Sequence, residues 1–264
     1  VNQQGTETAL ILSGGGIRGM AHIGFIKALQ EHGITIDRVS GASAGALVGA
    51  LFCNGNSTED MLEFFKETPL FRYNYFSINK PGLIDTDRYY SVLKGYLMHD
   101  SFEELATPLH VAATNLQEGY LREFHSGPLI RPLLASASLS PVFSPVEIEG
   151  QLYADGGILS NFPLEFVADK AHRFIGSNTT ELSSLSSKHL RNALQLTARV
   201  SSLMIYSRTK EKLQRCDFYI QPSGLKKIGF LDKSGIEKAY TIGYEEGSRA
   251  IVNFLEKERQ QSAG

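Results

Sequence analysis

Two small-residue turns near the start of the chain constrain its fold more than any later feature, because each lies between a short apolar run and an apolar helical pattern. Thr8–Ser13 (TALILS) reads as a strand, Gly14–Gly19 (GGGIRG) as a turn, and Met20–His32 as a helix. Ile23, Ile26, Ala28 and Leu29 give that helix its apolar face, and Gly33 stops it. The pattern then repeats. Ile34–Ser40 is strand-like, Gly41–Gly45 (GASAG) is a second turn, and Ala46–Phe52 begins a second helix. Strands alternating with helices predict an α/β fold with a largely parallel sheet.

The rest of the chain continues the alternation. Ser57–Lys66 is a helix with Ser57 or Thr58 as N-cap, and Asp85 or Thr86 caps another that runs to His99. Leu109–Thr114 and Tyr120–His125 are strands joined through Gln117–Gly119, and Leu129–Ser138 is helical. Val142–Asp155 alternates around a tight turn at Glu149–Gly150. Arg173–Gly176 and Phe218–Gln221 are short strands, and Arg191–Leu213 and Gly235–Lys257 are long helices. No repeat, low-complexity segment or interdomain linker is visible, so residues 1–264 are expected to form one domain.

Composition narrows the function classes. Apolar residues make up 42% and charged residues 20%, as in a folded enzyme rather than a disordered chain. A net charge of -2 gives no global attraction to nucleic acid, although a local patch can still meet an anionic membrane. No apolar run approaches the roughly 20 residues that cross a bilayer, and no signal peptide is visible. The two cysteines, Cys53 and Cys216, have no metal-ligand spacing and fit a reducing compartment. The expectation is therefore a cytoplasmic protein, with peripheral membrane contact left open, and an oligomeric state that composition does not decide.

Three motifs carry chemistry. Gly41-Ala42-Ser43-Ala44-Gly45 fits G-x-S-x-G, where a serine on a strained strand-to-helix turn exposes its hydroxyl and flanking glycines clear the bend. The Ala44 N–H then opens the helix and can donate to an oxyanion. Taken alone, the same residues also make an ordinary close-packing turn. Gly14–Gly19 presents free N–H groups at the start of a helix and suits an anion. It also fits G-x-G-x-x-G, so a dinucleotide pyrophosphate and an acyl-transfer oxyanion are both candidates. A dinucleotide site needs an acid at the carboxyl end of the second strand, and Asp37 lies at the other end. Asp155, before Gly156-Gly157, ends a strand at a turn, where its carboxylate can contact the serine hydroxyl directly, although Asp-Gly-Gly taken alone also makes an ordinary turn. Of seven histidines only His172 and His189 follow it, as the usual order of serine, then acid, then histidine requires, and neither has a catalytic context. His22 reads more readily as a packed or helix-capping residue than as a base.

GGGIRG, GASAG and DGG in that order resemble the patatin-like phospholipase family, in particular its compact bacterial members. The resemblance runs from about Ala9 to Gly176 and takes in His22 and Gly24, the strand into Thr114-Asn115-Leu116, Ala135–Pro145, and Asn161 with Pro163. It implies a three-layer α/β/α architecture with a mostly parallel sheet, and a serine acyl hydrolase acting on (phospho)lipid esters. It implies Ser43 as nucleophile and Asp155 as its dyad partner without histidine. Gly14, Gly15, Gly16 and Ala44 become the oxyanion hole, with Arg18, Gly19, Gly41, Gly45, Gly156 and Gly157 as supporting motif residues. No metal or organic cofactor is expected. Ser138–Pro145 departs from the pattern by one residue in its first proline, and residues 177–264 match no motif, so selectivity is assigned there. Two readings stay open for Arg18, a phosphate ligand or a brace for the loop. Three stay open for Phe64, Phe65, Phe71, Tyr73, Tyr75 and Phe76: acyl pocket, bilayer contact or core.

Overall fold

A computed structural model describes residues 7–69, 75–182 and 184–262. The first strand, β1 (Thr8–Leu12), is buried along its whole length, and its side chains divide between two faces. Leu10 and Leu12 join one apolar core and Ala9 and Ile11 another, as the two-residue period of a central strand requires. The larger core holds α1 (Met20–Glu31), α2 (Ala44–Cys53), α3 (Thr58–Glu67), α4 (Tyr90–Tyr96), α5 (Ile130–Ser136) and α8 (Ile236–Ser262). The smaller one is closed by Phe162, Leu164, Val167 and the end of α7 (Ala193–Leu213). The four-residue helix α6 (Gly157–Ser160) packs beside α7. Helices on both faces of one sheet make the three-layer α/β/α architecture.

The sheet is parallel over β3 (Leu109–Asn115), β2 (Arg38–Ala42), β1, β7 (Arg173–Ser177) and β8 (Phe218–Ile220), in that order. Three antiparallel strands complete it: β4 (Leu121–Phe124), β5 (Val146–Ile148) and β6 (Gln151–Asp155). The β5–β6 hairpin turns at Glu149 and Gly150, both with positive φ. β4 pairs with Val111–Thr114 on one edge of β3. β2 and β6 share the other edge, with β2 ending at Ala42 opposite Ala112 and β6 ending at Asp155 opposite Ala113. Two strands running in opposite directions thus meet end to end.

One strand boundary differs from the sequence expectation. Ile34–Ser40 was expected as strand, yet β2 begins at Arg38 and continues to Ala42. Ile34 is used instead to close α1. Gly33 takes a φ of 68°, the Gly33 N–H reaches the Gln30 carbonyl and the Ile34 N–H reaches the Leu29 carbonyl. This pairing satisfies the last carbonyls of the helix before any strand can start. The helix expected to run to His99 ends at Tyr96, after a 3-10 turn at Thr86–Tyr89 capped by the Asp85 side chain. Among the described residues no helix is long and apolar enough to cross a membrane.

Candidate active site

Ser43 stands at the junction of β2 and α2 with φ 54° and ψ -125°, a conformation that side-chain-bearing residues avoid and that costs roughly 1–3 kcal/mol. The neighbouring glycines make the bend sterically feasible. A Cβ on Gly45 would lie 2.3 Å from the Leu12 carbonyl oxygen, and one on Gly41 would lie 2.7 Å from the Gly45 backbone. The Ser43 N–H donates to the Ser136 hydroxyl oxygen at 2.9 Å, which ties the bend to the end of α5. The Ser43 carbonyl accepts from the Ala46 and Leu47 N–H groups and starts the α2 ladder. The Ala44 N–H meets no acceptor among the described residues, as first-turn donors do unless capped.

The glycine turn lies directly opposite. A Cβ on Gly14 would be 3.0 Å from the Ser43 Cβ, so the two turns touch. The Gly14 N–H is committed to the Asn161 carbonyl at 3.1 Å, which corrects the expectation that it is a free oxyanion donor. The Gly15 and Gly16 N–H groups meet no acceptor among the described residues. Gly16 holds a φ of 56°, and the backbone of Phe230 fills the space where a side chain would go. The Thr179 hydroxyl donates to the Gly14 carbonyl at 2.9 Å, and the Thr179 N–H donates to the Ser13 hydroxyl oxygen. Gly19 allows Ala44 to pack against the turn, and Gly156 lies against the Ala112 carbonyl. Three N–H groups, of Gly15, Gly16 and Ala44, thus have no acceptor among the described residues, and Gly16 and Ala44 line the same cavity as Ser43.

Asp155 reaches Ser43 because β6 meets β2 end to end. The Ser43 hydroxyl donates to Asp155 Oδ2 at 2.7 Å, and the Gly157 N–H donates to Asp155 Oδ1 at 2.7 Å. The carboxyl is 3% exposed, and that burial pushes it up to about 6 against the pull of its two hydrogen bonds. The sequence placed Asp155 where a strand ends in a turn, without giving the direction of that strand. β6 runs antiparallel, so the approach comes from the far side of the same edge.

No described histidine ring bonds to either residue. His22 is fully buried between Ser177 Oγ (2.7 Å) and the Ser13 carbonyl (2.8 Å), and burial lowers it to about 4. A neutral ring donating from Nε2 to Ser13 and accepting at Nδ1 from the Ser177 hydroxyl fits both partners, so His22 braces the glycine turn. His172 is exposed at the amino end of β7, the opposite end of the sheet from Ser43. His189 lies in the 3-10 turn Ser187–His189, and its side chain is outside the described residues.

Next to Ser43 opens an apolar cavity lined by Leu47, Phe64, Phe65, Thr68, Tyr89, Leu93, Leu134, Ala137, Leu139, Phe143, Phe230 and Leu231. Phe64 and Phe65 are the only residues of the aromatic stretch in that lining among the described ones. Tyr75 is buried edge-on against Tyr89, whereas Phe76 is half exposed and lines no part of it. Phe71 and Tyr73 lie outside the described residues. Arg18 donates from Nε to the Ile228 carbonyl at 2.7 Å and stacks on Phe230 at 4.3 Å, as a brace would. Asp37, the acid weighed for a dinucleotide site, accepts the Thr8 N–H at the amino end of β1 and cannot reach the turn. Among the described residues no three His, Cys, Asp or Glu side chains cluster as metal ligands. Ser136, Thr179 and Phe230 escaped the sequence reading. Each acts through a contact distant in sequence, and no local spacing marks it.

Comparisons with known proteins bear on the family and the fold. Residues 10–168 match the family described as Patatin-like phospholipase. An uncharacterized NTE family protein of Mycobacterium tuberculosis is 34% identical over 164 residues, covering 61% of this chain and 46% of its own length. Neuropathy target esterase sws of Drosophila melanogaster is 33% identical over 172 residues, covering 61% of this chain and 12% of its own length. The chain thus spans less than half the length of these curated relatives. Among solved structures, VipD from Legionella pneumophila superposes with a TM-score of 0.55 at 16% identity, over 96% of this chain and 67% of that one. Human GIVD cytosolic phospholipase A2, in complex with methyl gamma-linolenyl fluorophosphonate and terbium chloride, gives 0.53 at 13% identity, over 96% and 59%. These two likenesses concern the fold alone. The sequence match takes in the glycine turn, the serine elbow and the aspartate together, and by it the chain belongs to the patatin-like phospholipase family.

Proposed function

We propose that this chain is a serine hydrolase of lipid carboxylic esters, with Ser43 as nucleophile and Asp155 as its base. One observation carries the reading: the Ser43 hydroxyl donates to a buried carboxylate at 2.7 Å at the wall of an apolar cavity. Asp155 accepts the hydroxyl proton as Ser43 Oγ bonds to the ester carbonyl carbon. The oxygen that becomes negative is held by the N–H groups of Gly15, Gly16 and Ala44, and one such donor contributes roughly 3 kcal/mol. Collapse expels the alcohol, which takes the proton from Asp155 and leaves the acyl group on Ser43. Asp155 then deprotonates a water that attacks the acyl-enzyme, and the fatty acid departs as Ser43 regains its proton. All of 1–264 is read as one domain, because Thr179, Phe230 and Leu231 complete a cleft otherwise built by residues 13–161. Turnover of p-nitrophenyl esters, and release of fatty acid from phosphatidylcholine, test the reading directly; absence of both would end it.

Two expectations follow from the site itself. Asp155 must be ionised to accept a proton, so kcat/KM is expected to fall below about pH 6 with a single-proton limb. A pH series on a p-nitrophenyl ester reads that limb, and a flat profile down to pH 4 would argue against a carboxylate base of this kind. The cavity sets the second. Each added methylene contributes up to about 0.8 kcal/mol until the space is full, so activity should rise from acetate to medium-chain esters. Ala137→Phe, which fills the wall beside Leu134 and Leu139, should depress the longer esters about ten-fold more than acetate. Phe76→Ala should leave the profile unchanged, since that ring lines no part of the cavity.

A further inference from the structure

α7 is too long for the sheet it covers. It connects the carboxyl end of β7 to the amino end of β8, which lies parallel to β7. Its 21 residues extend about 31 Å, whereas the five residues of β7 span about 17 Å. The excess lies at the carboxyl end of the sheet, the end where Ser43 stands. Burial follows the same division. Leu213 and Thr209 are buried, Arg208 donates to the Leu159 carbonyl, and Lys212 donates to the Ser160 hydroxyl oxygen. The amino half is uncovered, with Leu196 53%, Val200 45%, Leu203 44% and Met204 66% exposed. Their spacing places all four on one helical face.

The sequence that carries this face has charges of one sign. From Leu182 to Lys210 there is no Asp or Glu, while Lys188, Arg191, Arg199, Arg208 and Lys210 are all cationic, in a chain of net charge -2. None of the five pairs with a carboxylate among the described residues. A second copy of this chain packed on the stripe about a two-fold axis would set these cations against themselves. An apolar face flanked by unpaired cations matches the boundary of an anionic bilayer, where acyl chains receive the leucines and headgroups the arginines. Leu139 and Phe230, which line the cavity beside Ser43, are also exposed.

We propose that the amino half of α7 docks the protein onto anionic phospholipid surfaces and so presents the Ser43 cleft to the bilayer. The proposal rests on the lipid-hydrolase reading for its purpose, but its test does not require hydrolysis. The full chain is sedimented with vesicles of non-hydrolysable diether phosphatidylcholine, with and without roughly 30 mol% diether phosphatidylglycerol. Two variants are compared with wild type, Leu196→Gln/Leu203→Gln/Met204→Gln and Arg191→Gln/Arg199→Gln. Turnover of soluble p-nitrophenyl acetate is followed in parallel. Wild type should bind the anionic vesicles about ten-fold more tightly than the zwitterionic ones and release in high salt. Each variant should lose about ten-fold in binding while its melting temperature and acetate turnover stay unchanged. Undiminished binding by both variants, or equal binding to the two vesicle types, would overturn the proposal. So would light scattering that shows a wild-type dimer which the triple variant converts to monomer. If no protein, wild type included, turned over acetate, the hydrolase reading would fail while the sedimentation result still judged the docking surface.

Discussion

Ser43→Ala is expected to bring ester turnover down to the uncatalysed background, a loss of roughly four to six orders of magnitude, in a protein that still folds. The hydroxyl is the only atom removed. The elbow keeps its positive φ, its Ser43 N–H bond to Ser136 and the close approach of Gly45 to Leu12, all of which are backbone features. The melting curve should therefore move by only a few degrees, in keeping with a single lost hydrogen bond of about 1 kcal/mol. Turnover on p-nitrophenyl butyrate and a thermal melt of both proteins check the two halves. Retained turnover would mean that another residue is the nucleophile.

Asp155→Asn should cost about three to four orders of magnitude in kcat, since asparagine cannot accept the proton. It should also raise stability, and the sign of that effect with pH is specific. Burial raises the folded-state carboxyl from its ordinary 3.8 to about 6. Between those values the folded chain holds a proton that the unfolded chain has released, so wild type loses stability as pH rises through that window. Once both values are passed the loss amounts to about 3 kcal/mol. Asparagine retains an oxygen for the Gly157 N–H and has nothing to ionise. Urea unfolding should show the two proteins nearly equal at pH 4 and the variant more stable at pH 8. A variant less stable than wild type at pH 8 would show that the ionised carboxylate supports the fold. His172→Ala, an exposed change far from Ser43, should leave kcat within about two-fold, as surface substitutions do.

The sequence was most readable where local backbone geometry demands particular residues. A positive φ at Ser43 and at Gly16 needs small neighbours, and GASAG and GGGIRG declare them in consecutive residues. The parallel order of the first strands was legible for the same reason, because each turn hands its strand to a helix. Asp155 was visible as a turn residue, but its route was not. Strand direction depends on pairing partners, and nothing within DGG says that β6 shares an edge of β3 with β2 and runs in the opposite direction. Ile34 illustrates a competition between two local demands. Its apolar side chain suits a strand, yet its N–H is used first to close α1. Gly14 shows the limit of counting motif glycines as donors, since its N–H is already bonded to the Asn161 carbonyl. Thr179 and Phe230 were invisible because they meet the glycine turn across more than 160 intervening residues, through contacts that leave no periodicity.

The most direct test of the mechanism is covalent trapping. A long-chain fluorophosphonate should place its phosphorus on the activated serine oxygen, and peptide mass mapping should find one adduct, at Ser43. Labelling should disappear in Ser43→Ala and slow by orders of magnitude in Asp155→Asn. An adduct at another serine, with Ser43 unmodified and ester turnover lost, would contradict the assignment of Ser43 as nucleophile.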